Sequence, residues 1–185
     1  IRPWVSAASF VNEPNAHYHS STENYIAYQR ALYEAVQAVA PEVDVVGIQA
    51  GSGSQGGGLV NYTEEMLQAD SGALVGAMDV LAIQTHPAAS LPFETWGWDR
   101  VLARLRAVAA DHGIERIWST EMSYFAFPPE EALMPVRGDV QRSRHYRPSE
   151  RNQSDYLTRA TLFSLGTTFE RVYPFLYNPM SHGGG

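Results

Sequence analysis

Polar residues close short β-branched runs at nearly constant intervals along this chain, and that interval constrains the fold more than any other feature. Ser9-Phe10-Val11 ends at Asn12-Glu13, Val45-Val46-Gly47-Ile48 at Gln49, and Val80-Leu81-Ala82-Ile83 at Thr85-His86, while Arg116-Ile117-Trp118 runs on to Glu121. The steps from Glu13 to Gln49, to His86 and to Glu121 are 36, 37 and 35 positions. Each step fits one strand followed by one helix, the alternation of a parallel α/β sheet. A fifth run, Val172 to Tyr177, ends 56 positions after Glu121 and contains Pro174, which suits the end of a ladder better than its middle. The longer step leaves room for an inserted loop, and the Pro- and Arg-rich stretch from Phe127 to Arg151 is where it falls.

Helical patterns fill the intervals. Ser20-Ser21-Thr22-Glu23 has the form of a capping box, and Tyr25, Tyr28, Leu32, Val36 and Val39 follow at helical spacing up to Pro41. A second helix is expected after Thr63. A third, from Asp99, carries Val101, Leu102, Leu105, Val108 and Ala109 on one face and stops at Gly113, a suitable left-handed cap. A fourth runs from about Glu150 to Gly166 with Tyr156, Leu157, Ala160 and Phe163 turned inward. The glycine-rich Gly51 to Gly58 lacks the Lys and Ser/Thr of a phosphate loop and reads as a flexible loop over the site.

Five strand–helix units point to a (β/α)8 TIM barrel that is incomplete here, because a whole barrel takes about 250 residues and this sequence has 185. The whole of 1–185 reads as a single partial catalytic domain, and an open sheet edge argues for a missing amino-terminal barrel segment as its partner. A smaller open α/β sheet is the alternative. The 44% hydrophobic and 11% aromatic content suffices for a core. Twenty acidic against 13 basic residues, all of the latter Arg, give a net charge of -7 that disfavours nucleic acid as a partner. No apolar run approaches the roughly 20 residues of a membrane span. With no Cys, disulfides and thiolate metal sites are excluded. The first residues lack the pattern of a secretion signal and the chain starts without Met, so a processed or cropped beginning is expected.

The chemistry is carried by two glutamates. In Asn12-Glu13-Pro14-Asn15 the proline cannot donate to a ladder and turns the chain outward, leaving Glu13 at the mouth of the barrel. Glu121 closes another apolar strand three units later, on the same carboxyl-terminal face where barrels place their active sites. The bland readings are an exposed turn for Glu13 and an Arg-paired carboxylate for Glu121.

On these residues the chain resembles clan A of the glycoside hydrolases, families 5 and 39 among them, along nearly its whole length. In that clan an Asn-Glu pair ends strand four and supplies the acid/base, and a Glu ending strand seven is the nucleophile. Asn12, Glu13 and Glu121 occupy those places if the visible strands are four to eight. Ile83-Gln84-Thr85-His86-Pro87 is similar to the end of strand six, where a His or Tyr approaches the nucleophile, and Arg151-Asn152-Gln153 with its helix is similar to the segment leading into strand eight. The chain departs from the pattern at strand eight: Tyr173, Phe175, Tyr177 and Asn178 stand where many members have a Trp flooring the sugar subsite. The resemblance implies a retaining hydrolase of O-glycosidic bonds acting on a glycoside, oligosaccharide or polysaccharide, with no cofactor. Secretion to the periplasm or outside the cell is common in such enzymes; nothing in the residues fixes the compartment.

Retention requires two carboxyl groups about 5 to 5.5 Å apart, one protonated to assist the leaving oxygen and one ionised to attack the anomeric carbon. Asn12 is expected to hydrogen-bond the sugar 2-hydroxyl, and His86 to orient Glu121 or touch substrate. Trp96, Tyr124 and Phe125 offer faces for sugar stacking, Tyr177 is expected to contact substrate with the floor left open among Tyr173, Phe175, Tyr177 and Asn178, and Trp98 serves equally well as cover for a helix turn. The cluster Arg137, Arg142, Arg144, His145, Arg147 and Arg151 is either a solvated loop or a cradle for an acidic substituent. Two further classes compete: a catalytically silent barrel that binds glycans or acts as scaffold, and a metal-dependent hydrolase in which His17, His19 and His86 converge, although their spacing fits no standard metal motif.

Overall fold

A computed structural model of the chain describes residues 4–17, 21–51, 56–86, 92–123 and 150–175. Five strands, β1 (Ala7–Ala8), β2 (Asp44–Ala50), β3 (Val80–Thr85), β4 (Ile117–Met122) and β5 (Arg171–Pro174), lie in chain order in one parallel sheet. The sheet curls into a half-barrel. Helices α1 (Pro14–His17), α2 (Thr22–Val39), α3 (Gly56–Gln68), α4 (Trp98–Asp111) and α5 (Glu150–Thr167) occupy the connections.

Alternation along the strands sorts the core into two layers. Leu81, Ile83, Ile117 and Met122 meet Tyr25, Leu59, Leu102, Leu105 and Ala160 of the helices on the convex side. Val46, Val80, Ala82 and Trp118 form a smaller cluster on the concave side. The helices follow the apolar spacing: Ser21 caps α2 by accepting from the Asn24 N–H, and Leu102, Leu105, Val108 and Ala109 are the buried stripe of α4. Gly113 adopts φ +72° after that helix, as its expected role as cap requires.

Three expectations need correction. The first strand is Ala7–Ala8, wholly before the expected run Ser9-Phe10-Val11, because the Phe10 ring leaves the ladder to pack 5.0 Å from Tyr25 and 6.1 Å from Tyr28. Glu13 therefore stands on a loop after the strand, at φ 46°, with Pro14 opening α1. The second helix begins at Gly56, not after Thr63, and takes the last three glycines of the supposed loop into its first turn. Burial of Leu59, Val60, Met66 and Leu67 outweighs the poor propensity of glycine there. Residues 52–55 and the Arg-rich stretch up to 149 lie outside the described residues. Among the described residues, no helix is long and apolar enough to cross a membrane.

An ion network ties the amino-terminal ends of three strands. Arg116 pairs with both oxygens of Asp44, at 2.6 and 2.9 Å, and its Nε donates to Glu170 at 2.9 Å. Trp118 Nε1 donates to the same Glu170 oxygen at 3.0 Å. These bonds to Asp44 and then Glu170 raise the Arg116 guanidinium above its ordinary value. Those from Arg116 and then Trp118 lower the Glu170 carboxyl. A depressed carboxyl stabilises the fold above its unfolded value near pH 4 and loses that contribution as the pH falls through its folded value. Glu170 is 41% exposed, so solvent screens the effect. Arg116→Met is expected to cost about 1 to 3 kcal/mol in urea unfolding at neutral pH, with a smaller difference from the parent below about pH 4. An unchanged midpoint would assign the network no net stability.

Candidate active site

Strict alternation from Trp118, which faces the concave side, would send Glu121 to the helix-packed side. The register prevents this. Ile83 pairs with Ser119, but the next residue, Gln84, pairs with Glu121, so Thr120 is an extra residue in β4. This bulge flips the strand, turning Glu121 to the same side as Gln84 and Met122 into the convex core. Thr85 Oγ1 and Ser119 Oγ lie 2.6 Å apart and 3.2 and 3.1 Å from the Glu121 carbonyl oxygen, so that one hydroxyl donates to the other and the second donates to the carbonyl. The two hydroxyls thus satisfy backbone that the bulge takes out of regular pairing.

Nitrogen atoms approach both oxygens of the Glu121 carboxylate. Gln84 Nε2 donates to Oε1 at 3.1 Å, and Asn12 Nδ2 reaches the same atom at 3.5 Å. His86 Nε2 faces Oε2 at 3.4 Å, with both side chains about one quarter exposed. On its other nitrogen, His86 Nδ1 lies 2.7 Å from the buried Ser123 hydroxyl. Gln84 also donates to Asn12 Oδ1 through the same Nε2.

Glu13 is half-buried beside the end of β2. Asn15 holds that place by a two-way bond with Gly51, donating Nδ2 to its carbonyl at 2.9 Å and accepting its N–H at 2.8 Å. The Glu13 carboxyl rests against the Gly51 Cα, where an added Cβ would lie 2.7 Å from Glu13 Cδ. Gly51→Ala therefore displaces that carboxyl while leaving the backbone in place. It is expected to lower kcat about 10- to 100-fold, as a displacement of about 1 Å does in an active site, with the thermal midpoint little changed. Full activity in the alanine variant would show that the carboxyl is free to sit elsewhere.

Of the residues expected from the sequence, Asn12, His86 and Glu121 are brought into one cluster, while Glu13, next to Asn12 in the chain, has its carboxyl against Gly51. Trp98 is buried at the start of α4, in keeping with its helix-covering role. Trp96 closes a short turn, Phe93–Trp96, and its side chain lies outside the described residues, as do Tyr124, Phe125, Tyr177, His19 and the His17 side chain. Among the described residues, no group of three or more His, Asp or Glu is placed to hold a metal. Gln84, Ser123 and Asn15 were not expected as site residues, and Gly51, expected in a loop over the site, meets it as the seat of Glu13 and Asn15. For Gln84 a signal existed: in Val80-Ala82-Gln84 a polar residue continues the concave row.

No protein-family model matches the chain, and no curated protein sequence matches it. Solved structures similar to it include a glucosidase from Croceicoccus marinus, with 14% identity and a TM-score of 0.61 over 92% of this chain and 32% of that one. A curdlan-specific exo-β-1,3-glucanase of glycoside hydrolase family 128 from Blastomyces gilchristii gives 16%, 0.60, 92% and 62%. A family 44 xyloglucanase from Paenibacillus polymyxa gives 12%, 0.61, 94% and 42%. What these share with the chain is the fold. The chain spans between about a third and three fifths of their lengths.

Proposed function

We propose that this chain carries the two catalytic carboxylates of a retaining glycoside hydrolase of the clan A type, with Glu13 as acid/base and Glu121 as nucleophile. The observation that carries the reading is the bulge-directed Glu121 on the concave face, its oxygens met by Gln84, Asn12 and His86. Glu121 attacks the anomeric carbon as the glycosidic bond breaks, and Glu13 gives its proton to the departing oxygen. In the second step Glu13 takes a proton from water, which displaces Glu121 and releases the sugar with its original configuration.

Asn12 serves the sugar 2-hydroxyl, and His86 orients the nucleophile. Trp96, Tyr124 and Tyr177 supply contacts to neighbouring rings. The substrate is a glycoside, oligosaccharide or polysaccharide; the similar structures are named for glucosidase, β-1,3-glucanase and xyloglucanase activities, which supports glycans as the substrate class. Two carboxyls and a water balance the reaction without a cofactor. Proton NMR of the first-formed sugar from an aryl glycoside tests the reading. Retention of the anomeric configuration is expected; an inverted sugar would contradict the role given to Glu121.

A further inference from the structure

Gln84 has no role in the reaction as set out above, yet its side chain is fully buried between the two residues that have one. Its Nε2 carries two hydrogens, and the structure offers an acceptor to each: Glu121 Oε1 at 3.1 Å and Asn12 Oδ1. The opposite orientation would set Gln84 Oε1 against two acceptor oxygens. The observed one leaves that oxygen buried with no partner among the described residues. Leaving a buried acceptor unpaired costs about 1 to 3 kcal/mol, and the bonds to a carboxylate and an amide offset it.

The same reasoning passes to Asn12. With Oδ1 taken by Gln84, its Nδ2 is turned outward, where it meets Glu121 only at the 3.5 Å limit and on an exposed residue. A bond that long is readily exchanged for one to a substrate hydroxyl. A carboxylate or its ester both present acceptor oxygens, so this chain of orientation holds before and after sugar transfer.

We infer that Gln84 is a positioning residue that reads the acceptor face of Glu121 and thereby fixes the Asn12 amide with its N–H groups toward the sugar 2-hydroxyl, making recognition at that carbon depend on a residue that never touches substrate. The inference rests on the roles proposed for Glu121 and Asn12. It predicts that loss of Gln84 is felt selectively by substrates that carry the 2-hydroxyl.

The test compares an aryl glycoside with its 2-deoxy counterpart in the full-length protein, in the parent, Gln84→Met and Gln84→Glu. Methionine keeps the volume without donors, and glutamate keeps the shape while offering acceptors. In whichever of the two folds with a native melting transition, the preference for the 2-hydroxy substrate in kcat/KM is expected to fall about 10-fold or more, as it does when a directed hydrogen bond to a hydroxyl is lost. Asn12→Ala is expected to lower the preference as far, with little further loss when combined with Gln84→Met. Equal losses on both substrates, or an unchanged ratio, would overturn the inference and reduce Gln84 to a packing residue. A Glu121→Ala control separates the levels: activity surviving there defeats the nucleophile assignment, whereas its loss beside an unchanged ratio in the Gln84 variants defeats this inference alone.

Discussion

Glu121→Ala is expected to abolish turnover of an activated aryl glycoside by the full-length protein, by about 10⁴-fold or more, the scale on which loss of a covalent nucleophile is felt. Removal of the carboxylate also leaves a space bounded by Gln84 and His86, which the proposed mechanism sets beside the anomeric carbon. Azide fits there and needs no proton removed, so it is expected to restore turnover in proportion to its concentration. The product is a glycosyl azide of inverted configuration, because the single displacement now comes from the nucleophile's side. Rates are followed by release of the phenol and configuration by NMR. Rescue with retention would place the missing carboxylate on the other side of the sugar.

Glu13→Ala should behave differently, because its task depends on the leaving group. An alkyl or sugar leaving group needs its oxygen protonated as the bond breaks, and loss of a positioned general acid costs about 10² to 10⁴-fold. A dinitrophenolate departs without help, so the first step on such a substrate is expected to be nearly unchanged. The second step lacks its base, and the covalent intermediate accumulates as a burst of phenol followed by slow turnover. Azide then attacks that intermediate on the face Glu13 served, giving a glycosyl azide of retained configuration. The opposite configurations in the two variants assign the two carboxyls independently of their absolute rates.

The βα interval made the parallel sheet legible, since each strand must be long enough to pair and each crossover long enough to return. It put Glu121 near the end of a strand, where β4 has it. What it did not reveal was the direction of that side chain. A one-residue bulge at Thr120 decides the matter, and nothing in Ser119-Thr120-Glu121 alone specifies a pairing with Gln84 on another strand. The exit of the first strand escaped for a related reason: Ser9-Phe10-Val11 has the composition of a strand, but the Phe10 ring packs on α2 instead. Likewise the start of α3 was set by Leu59 and Val60 reaching the core, against the local preference of its glycines. Arg116, Asp44 and Glu170 belong to three different units and acquire meaning only when the sheet gathers their ends. Gln84 touches Asn12 and Glu121, and Ser123 touches His86, at distances that sequence spacing does not encode.

The central claim is that Glu121 forms a covalent bond to sugar. A 2-deoxy-2-fluoro glycoside with a good leaving group slows both steps, and its leaving group lets the first outrun the second, so that the glycosyl-enzyme persists. Intact mass and peptide mapping of the full-length protein after such treatment are expected to show one sugar per chain, on the peptide containing Ser119-Thr120-Glu121-Met122 and on Glu121 within it. Attachment to Glu13, or to any other residue, or complete turnover with no adduct and an inverted product, would contradict the assignment.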